Sequence, residues 1–121
     1  MIELGDEKVL YAFDKELEPA LVVPSGTTVR VRTKDCFGNQ VQRPEDELDE
    51  IDWDHINPAT GPIFVEGAVP GGALKVTIEA IEFDGQTASC TGEGEGVCGD
   101  RFDAWSTHPV SYTHLTLPTN S

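Results

Sequence analysis

Asn57-Pro-Ala-Thr-Gly-Pro-Ile-Phe-Val-Glu-Gly67 is the stretch on which the reading of this chain turns. Its two prolines and two glycines impose an irregular backbone that neither a helix nor an ordinary strand follows. Asn57, Thr60 and Glu66 are polar groups able to converge on a ligand, whereas Ile63, Phe64 and Val65 require burial. A stiff, polar-tipped loop that runs into an apolar strand is a common way to present a site. The same polar groups also suit a tight connection that satisfies its own backbone, and composition alone favours that plainer role.

Upstream, residues 8–13 alternate apolar Val9, Tyr11 and Phe13 with other residues, the period of a half-buried strand. A short apolar run at 21–23 is followed by the turn Pro24-Ser25-Gly26 and by 27–33. There Val29 and Val31 face one way and Thr28, Arg30 and Arg32 the other. This pattern predicts a β-hairpin with a solvated face. Residues 44–54 change character: Pro44 suits a first helical position, with Glu45, Asp46 and Glu47 in the first turn, where the helix dipole favours them. Leu48 and Ile51 would bury one edge of a short helix or helical turn. Its carboxylates form a solvated acidic face, because the central glycine of an EF-hand loop is missing.

Downstream, Pro70-Gly71-Gly72 marks a turn, after which Leu74, Val76, Ile78 and Ala80 alternate with Lys75, Thr77 and Glu79. Ile81 and Phe83 then fall on the opposite parity, which predicts a strand with a bulge near Ala80-Ile81. Asp84-Gly85 supplies the next turn. The run 91–99 is glycine-rich, lacks a Walker lysine and GxGxxG spacing, and reads as a mobile loop. From Trp105 to the end no Asp, Glu, Lys or Arg occurs, and residues 110–121 resemble translated cloning or adaptor sequence. The expected division is therefore 1–105 as one β domain, cut short, and 106–121 as a non-native tail. A natural uncharged edge strand with Tyr112, Leu115 and Leu117 is the alternative. Short strands between Pro/Gly turns with one brief helix predict a mainly β fold, a β-sandwich or jelly-roll-like barrel.

A chain of 121 residues suits one core. Its net charge of −14 opposes nucleic acid and anionic membrane as partners, since phosphates would be repelled. No apolar run approaches a membrane span, and no secretory leader is visible. Three cysteines without a Cys-x-x-Cys pair fit reduced thiols and a cytoplasmic setting better than a disulfide framework.

Cys36, at the end of a predicted strand, is a candidate nucleophile. Lys34 and a distant His55 are the only neighbours to favour its thiolate, and Asp35 opposes it. A small buried hydrophobe is its commoner role, and Cys90 and Cys98 have the same reading. Asp35, Asp54, His55 and Glu66 are oxygen and nitrogen donors for a metal if the fold gathers them, although no His-x-x-x-His or Cys/His quartet is present. No Ser/His/Asp triad is readable.

Three segments carry a resemblance. Leu21-Val-Val-Pro-Ser-Gly-Thr-Thr-Val29 with Thr33-Lys-Asp-Cys-Phe-Gly-Asn-Gln40, and Asn57-Pro-Ala-Thr-Gly-Pro-Ile-Phe-Val-Glu-Gly-Ala68 followed by Pro70-Gly71, resemble the N-terminal part of the acetamidase/formamidase family. The resemblance runs from about residue 11 to 102. It implies hydrolysis of small linear amides to a carboxylic acid and ammonia, a β-rich N-terminal part, homo-oligomers and a divalent metal, zinc or calcium. It also implies a longer chain, whose second half carries a histidine-containing Gly-Asp-Gly-Glu-type segment without counterpart here. This chain then reads as an N-terminal fragment, inactive alone, that exposes an apolar surface meant for the missing half.

Within that resemblance, Asp35 or Glu66 would act as base or metal ligand, with His55 as a further ligand. Asn57 or Thr60 would donate to an oxyanion, and Cys36 is the second choice as nucleophile. The competing reading is a non-catalytic acidic β-sandwich module that binds a sugar or calcium.

Overall fold

The computed structural model describes residues 1–101, 103 and 106–111. The chain divides into two compact units, one of residues 1–38 and 53–77, the other of 39–52 and 78–121. Both are built from strands and short turns, so the mainly β expectation holds. Among the described residues the strands lie in four two-stranded pairs. No described helix is long and apolar enough to cross a membrane.

The first unit holds β1 (Ile2–Leu4), β2 (Val9–Leu10), β3 (Leu21–Pro24), β4 (Val29–Val31), β5 (Ala59–Thr60) and β6 (Ile63–Glu66). β1 runs parallel to β4 with Glu3 opposite Arg30, and their exposed side chains form an ion pair at 3.6 Å. This is the solvated face expected of Arg30. β3 runs parallel to β6, with Val22 opposite Phe64 and Val23 opposite Val65. The two-residue period sends Val23 into the core at 4% exposure, while Val22 and Phe64 face outward, about half exposed. Leu4 and Phe37 are also buried.

The predicted hairpin of 21–33 does not form. Its turn does: the Thr27 N–H and hydroxyl both donate to the Pro24 carbonyl, at 3.3 and 2.7 Å, and Gly26 has φ 85°. A positive φ at the third residue belongs to a type II turn, which splays the flanking strands rather than pairing them. β3 and β4 therefore take separate parallel partners. The strand expected over 8–13 is confined to Val9–Leu10, with Tyr11 and Phe13 exposed.

In the second unit β7 (Gln86–Thr91) pairs antiparallel with β8 (Ser106–Ser111). Part of the uncharged tail is thus a strand, and residues 112–121, with Tyr112, Leu115 and Leu117, lie outside the described residues. The short helix or helical turn expected over 44–54 takes the form of two separate 3-10 turns, Leu48–Glu50 and, in the first unit, Trp53–His55. Val41 and Leu48 are the buried apolar residues of the segment 39–52. The run 91–99 is no loose loop: Gly94 and Glu95 N–H groups donate to the Gly99 and Gly92 carbonyls, and a 3-10 turn, Gly99–Arg101, follows. The bulged strand expected over 74–83 is not a strand in the structure.

Candidate active-site corner

Residues 57–62 form a junction that four other segments of the first unit hold in place. At its start Asn57 adopts φ 53°, a conformation that asparagine tolerates better than most residues, and its N–H donates to the Cys36 carbonyl at 2.6 Å. Ala59 and Thr60 then pair with Leu10 and Val9. The Thr60 hydroxyl donates to the Arg32 carbonyl at 2.7 Å, just past the end of β4. Gly61 N–H donates to the Lys8 carbonyl at 3.2 Å, and the Pro62 carbonyl accepts from Ala20 N–H at 2.8 Å. The loop draws on partners beyond its two-residue ladder because Pro58 and Pro62 carry no N–H to extend it.

The facing tip, 35–38, is shaped by Asp35. Its carboxylate accepts the Phe37 N–H at 3.0 Å, and its carbonyl accepts the Gly38 N–H at 3.0 Å. Gly38 and Asn39 follow at φ 64° and 62°. This Asx turn drives Phe37 into the interior at 7% exposure and leaves the neighbouring Cys36 exposed. The expectation of Cys36 as a buried hydrophobe is thereby reversed: Phe37 fills that place.

Of the residues singled out in the sequence, Asp35, Cys36, Asn57 and Thr60 are thus drawn to one corner. Thr60 spends its hydroxyl proton on Arg32, which makes it a brace between loop and strand rather than a donor to an oxyanion. Glu66 is exposed at the far end of β6, three residues and roughly 10 Å along the strand from Ile63. His55 is exposed on the Trp53–His55 turn, its ring edge-on to Tyr11 with centroids 4.8 Å apart and planes at 82°. Among the described residues no three His, Cys, Asp or Glu side chains converge to hold a metal ion, so Asp35, His55 and Glu66 do not form the expected ligand set. The anchors supplied by the Lys8, Arg32 and Cys36 carbonyls were not visible in the sequence, because main-chain acceptors leave no residue signature. The Tyr11–His55 contact likewise joins positions too far apart for spacing to reveal.

Residues 4–114 match the Acetamidase/Formamidase family. The chain belongs to that family. Among solved structures, this family member is similar to a predicted acetamidase/formamidase from the thermophile Thermoanaerobacter tengcongensis, with 46% identity and a TM-score of 0.86 over 91% of this chain and 36% of that one. It is also similar to an acetamidase from Bacillus halodurans, with 34% identity and a TM-score of 0.75 over 97% of this chain and 42% of that one. This acetamidase/formamidase homologue therefore corresponds to well under half of either solved chain. No curated protein sequence matches it.

Proposed function

We propose that this chain is part of a hydrolase of small linear amides, of the formamide or acetamide type, that yields a carboxylic acid and ammonia. The observation that carries the reading is the family match over residues 4–114. The corner that joins the two most distinctive segments of the match supports it.

Amides resist attack, so water must be activated, the developing oxyanion stabilised and the leaving nitrogen protonated. In this reading Asp35 takes the base role. Its carboxylate is steadied by the Phe37 N–H at 3.0 Å, and it lies one residue from the junction with Asn57. Water, losing a proton to Asp35, adds to the amide carbon. Asn57 donates to the oxyanion from its carboxamide, and the proton passes to the nitrogen as the C–N bond breaks. The exposed thiol of Cys36 is the alternative nucleophile, and Glu66 would serve only if the rest of a longer protein brought substrate to the end of β6. The remaining groups would come from outside this chain, in a longer protein that assembles with itself.

The test is ammonia release from formamide and acetamide by a full-length chimera, in which this chain replaces the region of the Thermoanaerobacter protein that it matches. Asp35→Asn and Asn57→Gly are each expected to lower kcat by on the order of a hundredfold with folding unchanged. Wild-type turnover in both folded variants would remove the corner from the mechanism.

A further inference from the structure

We infer that Tyr11 is a positioning residue, which acts through His55 to hold Asn57 where its carboxamide meets the oxyanion; the inference rests on the role proposed above for Asn57. Its basis is a closed circuit of chain that lies wholly within the first unit. At one end of residues 55–59, Ala59 pairs with Leu10 across the β2–β5 ladder. At the other end the His55 ring meets the ring of Tyr11, the residue after Leu10, edge-on with centroids 4.8 Å apart. The span is thus tied at both ends to two consecutive residues at the end of β2. Asn57 stands at its midpoint.

The surroundings give this tie a local task. Tyr11 is 42% exposed and His55 is exposed as well, so their contact adds nothing to the buried core. Its effect falls on the loop that it closes rather than on the whole unit. Asn57 is itself exposed, and its carboxamide has no hydrogen-bond partner among the described residues. The backbone of 55–59 therefore sets where that group stands. Two restraints flank it: the Asn57 N–H bond to the Cys36 carbonyl and the ring contact at His55. A shift of about 1 Å in a group that must meet a developing charge can cost on the order of a hundredfold in rate. Cutting one of the two restraints costs a part of that. The contact is between rings, so the phenol oxygen of Tyr11 is not required for it.

The experiment has two arms. In the full-length chimera defined above, Tyr11→Leu and His55→Leu should each lower kcat for acetamide about tenfold and leave KM within about twofold. The double variant should lose no more than either alone, since both cut the same tie. Tyr11→Phe keeps the ring and should keep kcat. Phe13→Leu, which removes a 92% exposed ring from the same segment, is the control. In the 121-residue chain, hydrogen exchange of the Asn57 amide should quicken about tenfold in Tyr11→Leu and not in Tyr11→Phe. The Arg32 amide, bonded to the Leu4 carbonyl at 2.9 Å, reports whether the fold is kept, and His55→Leu takes over if Tyr11→Leu unfolds. Wild-type kcat in Tyr11→Leu, or losses that add in the double variant, would overturn the inference. So would an Asn57 amide indifferent to both leucine substitutions, or loss of Arg32 protection in both, which would make the contact a support of the whole fold. A chimera that hydrolyses no amide, with the exchange response intact, leaves the tie standing and sinks only the catalytic reading.

Discussion

The backbone N–H of Asn57 meets the carbonyl of Cys36 at 2.6 Å, and this bond joins two segments that lie 21 positions apart in the chain. On one side of it the chain turns through the left-handed region at Asn57, φ 53°, and on the other Asp35 folds the tip around Cys36 into an Asx turn. The geometry of the corner thus rests on backbone conformation at one end and on a side-chain-to-backbone bond at the other.

The positive φ of Asn57 sets the first expectation. Alanine at this position meets the steric penalty of the left-handed region, about 1 kcal/mol, whereas glycine does not. In urea unfolding followed by circular dichroism, Asn57→Ala should shift the midpoint down and Asn57→Gly should stay near wild type. If glycine is as damaging as alanine, the side chain and not the backbone holds the corner.

Thr60 provides a second. Its hydroxyl gives the Arg32 carbonyl a partner at 2.7 Å from a half-buried position. Thr60→Val keeps the shape and the β-branch but removes the donor from that exposed carbonyl, at a cost of about 0.5–1.5 kcal/mol, the net worth of one hydrogen bond. Thr60→Ser keeps the donor and should lose only a few tenths of that order. Equal losses in the two variants would point to the methyl group instead.

These two residues also show what the sequence could and could not disclose. Asn57 and Thr60 stood out because proline and glycine around them announced an irregular loop, and turn chemistry is written in residue types. The partners of that loop are main-chain carbonyls of Lys8, Arg32 and Cys36, which every residue carries and no pattern marks. Strand pairing was hidden for a related reason. The run 21–33 reads as a hairpin by alternation alone, and only the φ of Gly26 reveals a turn that splays its strands. In 74–83 the alternation was legible, but alternation reports which faces seek burial and not whether their cover is present.

Asp46 offers a pH-dependent test. Its carboxylate accepts the Gln42 and Arg43 N–H groups at 2.8 and 2.9 Å and the Arg43 guanidinium at 3.2 Å. These bonds, the Gln42 N–H foremost, hold its pKa below the ordinary aspartate value of 3.8. A pKa depressed on folding means that the charged form is favoured in the folded state. Its stabilising contribution is therefore complete above the ordinary aspartate pKa and is lost as pH falls through the lowered one. The Asp46 carboxyl resonance should titrate below the ordinary aspartate value, and Asp46→Asn should abolish the acid sensitivity of the Gln42 and Arg43 amides. A titration of Asp46 at or above the ordinary aspartate value would show that the clasp does not persist in solution.

Gly99 is the position where a single methyl group should do most harm. An added Cβ would lie 2.6 and 2.9 Å from the backbone C and Cα of Gly94, atoms that cannot swing aside as a side chain can. The same two residues are joined by the Gly94 N–H to the Gly99 carbonyl at 3.1 Å, so parting them breaks the turn that closes the 92–99 run. Gly99→Ala should therefore cost about 1–3 kcal/mol, the range for forced overpacking. Gly96, at φ 70° with nothing within 4 Å of the point where a Cβ would stand, is the control. Gly96→Asn adds bulk where space exists and uses a residue that accepts positive φ, so its cost should be far smaller. Exchange of the Arg101 amide, which donates to the Cys98 carbonyl at 2.9 Å, reads out the turn directly. It should accelerate in Gly99→Ala and not in Gly96→Asn; the reverse order would mean that backbone conformation, and not the close approach to Gly94, dictates glycine in this loop.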